Sequence, residues 1–235
     1  MSVSLGGRIA LITGASRGIG AAVAKRFAAA GAHVVLVARS VGGLEEVDDT
    51  IRAGGGQATL VPLDLREFDA IDRMGAALYQ RFGRLDILVG NAGVLGSLSP
   101  MGHFAPETWR EVFDVNVTAN WRLIRSLDPL LRCAPEARAI FVTCAAAIAM
   151  TPYWGAYGAS KAALETLVRI YAGEVATTSL KVNLLDPGIV ATRLRAQGFP
   201  NENRELLARP EAVTDAFLGL ASPDCPHHGA RLTIA

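Results

Sequence analysis

Cysteine is scarce in this sequence. Cys133, Cys144 and Cys225 are the three, odd in number and widely spaced. They make neither a disulfide framework nor a zinc pattern, and such usage suits a reducing cytoplasm. Long apolar runs are also missing. The longest weakly polar stretch, Ala139 to Met150, is interrupted by Thr143 and falls short of the ~18 residues a membrane helix needs. The N-terminus, MSVSLGGRIALITG, lacks a charged segment followed by an apolar one and a cleavage site, so no secretory signal is expected. Charge of one sign is lacking too. The formal net charge is +1 with both signs intermixed, which argues against a nucleic-acid footprint. Histidines are few: His227 and His228 adjoin without a visible third ligand, so no metal is expected, and His103 reads as a solvated loop residue.

What is present is apolar residues, 51% of the 235, together with abundant glycine and alanine. That composition suits helices packed closely on a buried sheet and excludes disorder. Short apolar runs at Arg8–Thr13, His33–Ala38, Ala58–Pro62, Ile87–Gly90, Ala139–Thr143 and Lys181–Leu185 read as buried strands. Helical patterns lie between them at Gly18–Ala30, Val41–Ala53, Glu67–Phe82, Ala105–Leu131 and Tyr153–Thr178, and a last strand is expected at Ala230–Ile234. This alternation predicts an α/β, Rossmann-type, doubly wound parallel sheet with helices on both faces, in a single domain over 1–235. The long polar connection 189–210 reads as a lid over substrate or cofactor.

The first strand runs into Thr13-Gly14-Ala15-Ser16-Arg17-Gly18-Ile19-Gly20, and a helix follows. Glycines let the chain turn sharply, let the backbone approach a pyrophosphate, and let the helix pack on the sheet. Free N–H groups at the helix start then face the phosphates. The second strand ends Val37-Ala38-Arg39-Ser40, with no carboxylate before Glu45 to hold a ribose diol. Arg39 and Arg17 instead suit a 2′-phosphate, so NADP(H) is favoured and NAD(H) stays possible.

The glycine loop, then Asn91-Ala92-Gly93, then Tyr157-Gly158-Ala159-Ser160-Lys161 occur in that order. From about Gly7 to the end, the chain closely resembles the short-chain dehydrogenase/reductase family in its small single-domain form. The resemblance implies an oxidoreductase acting on a small-molecule carbonyl or alcohol. Gly14, Ser16, Arg17, Gly18, Ile19 and Gly20 would cradle the pyrophosphate, and Arg39 with Ser40 would select NADP. Asp64 and Leu65 would meet the adenine, and Asn91, Ala92 and Gly93 would support sheet and cofactor. Pro187, Gly188, Ile189 and Thr192 would cover the nicotinamide, after an Asp186 where the family usually has Asn. Asn116 matches the asparagine that helps to hold a proton-relay water. The family commonly pairs through its two long helices, which implies a homodimer or homotetramer.

The Tyr–Lys pair also makes chemical sense alone. Residues four apart share a helix face, and an ammonium beside a phenol lowers its pKa from ~10 toward neutral. Tyr157 would then exchange a proton with the substrate oxygen, with Lys161 tuning it and binding the ribose. Thirteen residues before Tyr157, where the family places a catalytic serine, stands Cys144. A thiol is the weaker donor. Three readings stay open: a weaker donor in a working enzyme, a nucleotide-binding protein without useful catalysis that serves as sensor or assembly partner, or an unusual substrate needing a thiol-lined pocket. Thr143 carries a hydroxyl but is expected to face the other way. Tyr153 and Trp154 either line a substrate pocket or pack the start of the helix.

Overall fold

The computed structural model describes residues 3–234. Among these residues, seven strands form one sheet, all parallel: β1 Ile9–Thr13, β2 His33–Ala38, β3 Gln57–Pro62, β4 Ile87–Gly90, β5 Arg138–Val142, β6 Lys181–Asp186 and β7 Arg231–Thr233. Their order is β3-β2-β1-β4-β5-β6-β7. Strands β1, β4 and β5 are almost wholly buried, which is why they read as continuous apolar runs rather than alternating ones. Alternate side chains feed two cores. Ala10, Ile12, Val34 and Leu36 pack on one face against α1 (Gly18–Ala29), α2 (Val41–Ala53) and α9 (Thr214–Ala221). Leu11, Val35, Val37 and Leu88 pack on the other against α3 (Phe68–Phe82), α5 (Ala119–Arg132) and α7 (Gly155–Glu174).

Strand order reverses at β1, between β2 and β4. Loops leaving β1 and β4 therefore diverge to opposite faces and open a crevice at the carboxyl ends of these strands, the usual ligand position in such sheets. Thr13 ties the two strand ends together. Its hydroxyl accepts from the Asn91 and Ala92 N–H groups, both at 3.0 Å, and the Asn91 amide donates to the Thr13 carbonyl at 2.8 Å.

Three expectations need correction. The single helix over Ala105–Leu131 is α4 (Pro106–Phe113), one turn of π-helix (Asp114–Thr118) and α5. The helix expected from Tyr153 begins at Gly155, because Tyr153 has φ +74° and cannot enter a right-handed turn. Strand β5 stops at Val142, although the Thr143 N–H still donates to the Leu185 carbonyl at 2.9 Å. Helix α9 and the short helices α6 (Ala146–Ala149) and α8 (Arg193–Gly198) were not expected. The carbonyls at the C-terminal end of α9 are taken by Arg8, which donates to Ala221, and Arg138, which donates to Ser222 at 3.0 Å.

Candidate active site and cofactor cleft

The glycine loop leaves no room for a side chain at Gly14 or Gly20. Gly14 has φ +66°, and a Cβ there would sit 2.9 Å from the Asn91 amide nitrogen. A Cβ on Gly20 would fall onto the Gly14 carbonyl oxygen. Arg17 is the N-cap residue of α1 and provides no side-chain cap, so the first N–H groups of α1 keep their capacity for an anion. Loop and second helix adjoin: a Cβ on Gly43 would lie 3.0 Å from that of Ser16. Ser40 caps α2, its hydroxyl accepting from Gly43 N–H at 3.2 Å. Arg39 leans toward Asp64, nitrogen to oxygen 3.9 Å, yet its side chain remains 56% exposed. Asp64 is held more firmly by Arg66, at 2.6 Å, and this contact keeps its carboxyl below the usual range. Leu65 is buried beside it. These residues fit a phosphate-bearing dinucleotide along the β1/β4 crevice.

At the far end of the crevice stand Tyr157, Lys161 and Cys144. Tyr157 is 7% exposed, and Lys161 lies one turn on at 3%. The Lys161 Nζ donates to the Val142 carbonyl at 2.9 Å and sits 5.8 Å from the Tyr157 ring centroid. A Cβ on Gly93 would lie 3.6 Å from that nitrogen, which puts the Asn-Ala-Gly backbone against the lysine. The expected lowering of the tyrosine pKa is not what this arrangement gives. Burial pushes the Tyr157 phenol well above its ordinary range, with the adjoining Cys144 thiol acting in the same direction. Burial draws Lys161 down, partly opposed by Cys144, Asp186 and Glu165. The phenol is thus held in its protonated form.

Asn116, fully buried, sits on the π-turn. Its side chain accepts from Val94 N–H and donates to the Val94 carbonyl and the Ser160 hydroxyl, each at 2.9 Å. The Ser160 hydroxyl donates onward to the Tyr157 carbonyl at 2.8 Å. Asn116 therefore fastens the loop after β4 to the helix that carries Tyr157. A π-turn at this position is a recurrent feature of functional helices.

A buried network that the sequence did not announce lies beneath. Thr143 points to α7, two turns beyond Tyr157, where its hydroxyl donates to Glu165 at 2.7 Å. Arg231 donates to Glu165 at 2.8 Å and to Asp186 at 3.0 Å. Asp186 also accepts from Gly188 N–H at 3.0 Å. Gly188 has φ +71°, and a Cβ there would meet the Ile234 carbonyl at 2.9 Å, so the Asp186-Pro187-Gly188 turn is glycine-dependent. Ile189 is exposed, and Thr192 caps α8, its hydroxyl accepting from Arg195 N–H at 3.1 Å. Segment 189–210 is not structureless: it holds α8 and pairs Val190 with Ala208. It reaches from the glycine loop, where Thr192 approaches Gly18, to Trp154, whose ring lies 3.1 Å from where a Gly198 Cβ would be.

Trp154 lies beside Tyr157, ring centroids 5.9 Å apart, and beside Phe199 at 5.5 Å. Of the two aromatic residues considered for a pocket, it is the one turned to the site. The Tyr153 side chain is 61% exposed. Among the described residues no group of three His, Cys, Asp or Glu side chains could hold a metal, and no helix is long and apolar enough to cross a membrane.

The family model of the short chain dehydrogenases matches residues 8–203. The chain belongs to the short-chain dehydrogenase/reductase family. It is similar to the uncharacterized oxidoreductase YciK of Escherichia coli, 34% identical over 94% of this chain and 88% of that one. It is also similar to the rhamnolipids biosynthesis 3-oxoacyl-[acyl-carrier-protein] reductase of Pseudomonas aeruginosa, at 37% over 81% and 76%. Among solved structures, a short-chain dehydrogenase-type protein from Shigella flexneri complexed with NADP superposes with a TM-score of 0.95, at 32% identity over 99% of both chains. As a short-chain dehydrogenase/reductase the chain is an oxidoreductase on a Rossmann-type fold, and its cleft is of the kind that takes a nicotinamide dinucleotide.

Proposed function

We propose that this short-chain dehydrogenase/reductase is an NADPH-dependent carbonyl reductase. The observation that carries the reading is the phenol of Tyr157, buried and flanked by Cys144 and Lys161 at the end of the crevice. Gly14, Ser16, Arg17, Gly18, Ile19 and Gly20 hold the pyrophosphate on the N-terminus of α1. Arg17, Arg39 and Ser40, beside the start of α2, take the 2′-phosphate, supported by the NADP complex of the Shigella flexneri relative. Asp64 and Leu65 border the adenine, Asn91, Ala92 and Gly93 floor the crevice, and Pro187, Gly188, Ile189 and Thr192 border the nicotinamide.

The bound nicotinamide supplies the hydride. The chain's own part is to orient the carbonyl and to move one proton. Tyr157 donates its phenolic proton to the carbonyl oxygen as that oxygen gains charge. Cys144 donates a weaker hydrogen bond to the same oxygen. Lys161, anchored on the Val142 carbonyl, stabilises the phenolate left behind, and Asn116 holds the helix that presents the pair. Segment 189–210 acts as the lid. The test is steady-state reduction of a ketone and aldehyde panel with NADPH and with NADH, beside binding titrations of both cofactors. Turnover with NADPH and tighter NADPH binding support the reading; equal binding of the two, or binding without turnover, overturns it.

A further inference from the structure

Twelve large hydrophobic side chains are exposed among the described residues, and eight of them lie on three short segments, 95–104, 145–154 and 189–206. All three segments meet at Trp154. Its backbone pairs with Ser99 of the first, it ends the second, and its ring contacts Gly198 and Phe199 of the third. Trp154 in turn lies against Tyr157. The apolar surface is therefore continuous with the reactive phenol rather than scattered, and clustering of that kind marks a binding surface.

Two of these residues are also held in an uncommon backbone state. Met150 has φ +48° and Tyr153 φ +74°, both left-handed and neither glycine. Their side chains are 91% and 61% exposed, so burial does not compensate for the strain. Charge is absent here. From Ala145 to Ala156 there is no Asp, Glu, Lys, Arg or His. On the lid, Arg195 is bound by Glu202 through two contacts of 2.7 Å and lies flat over the Phe199 ring at 3.6 Å, while Arg193 and Arg204 are exposed. The wall beside Tyr157 thus offers aromatic faces and methyl groups, and its 145–156 segment carries no charged side chain.

We propose that the carbonyl presented to Tyr157 carries an apolar substituent, alkyl or aryl, that packs against the Trp154–Phe199 pair and extends over the rim at Ile148 and Met150. The inference rests on the carbonyl-reductase reading above and names its substrate class.

The experiment is kcat/KM at saturating NADPH for 2-butanone, 2-heptanone, 2-nonanone and acetophenone, against pyruvate and dihydroxyacetone. Burial of each added methylene should raise kcat/KM by about fourfold until the chain clears the rim. Pyruvate and dihydroxyacetone should be the poorest substrates. Trp154→Ala should flatten the dependence on chain length, and Phe199→Ser, at the adjoining ring, should flatten it as well if the first variant does not fold. A flat dependence in the unaltered protein, or faster turnover of pyruvate or dihydroxyacetone than of 2-nonanone, overturns the substrate class and leaves the carbonyl-reductase reading standing. No turnover of any compound, with NADPH still bound, overturns that reading and this inference together.

Discussion

Arg231 donates to Asp186 at 3.0 Å across the end of the sheet, and the same guanidinium holds Glu165 at 2.8 Å. All three are largely buried, with side chains 16%, 4% and 7% exposed. Their elements are β7, β6 and α7, so one cation joins the turn at Asp186-Pro187-Gly188 to the helix of Tyr157 and Lys161. The buried Asp186 carboxylate is matched by this arginine. Removing the cation leaves two buried carboxylates facing each other, whereas removing one carboxylate leaves the other pair intact. Arg231→Met is expected to destabilise the protein by about 3–5 kcal/mol. Asp186→Asn is expected to cost less, and the double variant to recover part of the loss. Urea unfolding of the four proteins checks this.

Arg39 is exposed, and its nearest carboxylate, on Asp64, is 3.9 Å away and already engaged by Arg66. It is therefore free to meet a phosphate. Arg39→Ala should weaken NADPH binding by roughly 10- to 100-fold, corresponding to ~1.5–3 kcal/mol for a charge-assisted contact. NADH binding should change little. Fluorescence titration of both cofactors reads the difference, and equal losses for the two would contradict the assignment.

Cys144 is half-buried beside Tyr157. If the thiol stands in for a hydroxyl, Cys144→Ser should keep or raise kcat. A gain of ~1 kcal/mol in transition-state stabilisation is roughly fivefold. Loss of activity in a folded, NADPH-binding Cys144→Ser protein would mean that the thiol itself is required.

The pH dependence follows from the direction of the Tyr157 shift. Burial, then Cys144, raise this phenol above its ordinary value near 10, so it keeps its proton through the neutral range. Reduction uses the protonated form. Its rate should therefore not fall between pH 6 and about 9 on account of Tyr157, while alcohol oxidation, which needs the phenolate, should rise with pH. A reduction rate that declines through pH 7–8 would mean that the phenol is lowered instead.

The sheet was legible because its strands are buried on both faces and are written as short runs of Val, Ile, Leu and Ala between glycine-marked turns. The glycine loop and the Tyr157–Lys161 pair were legible because each is local, one a turn and the other a single helical repeat. The Arg231–Asp186–Glu165 network was not, since its members lie on separate elements joined only by the sheet. The π-turn around Asn116 escaped as well: at five residues it is too short to set a periodicity of its own. Helix α9 is short and contains Gly219, so its pattern was too weak to stand out. For Tyr157 the error lay in sign: a lysine at i+4 argues for a lowered pKa, but burial, which spacing does not reveal, acts the other way and dominates.

The account rests on Tyr157 as the proton donor, and Tyr157→Phe is its most direct test. The ring keeps its packing against Trp154 and Lys161, and only the hydroxyl is lost. NADPH consumption with the best ketone of the panel should fall by at least about 100-fold, the lower range for a lost general acid. The NADPH dissociation constant and the thermal midpoint should stay near those of the unaltered protein. A Tyr157→Phe protein that reduces the ketone as fast as its parent would place the proton donor elsewhere and contradict the account.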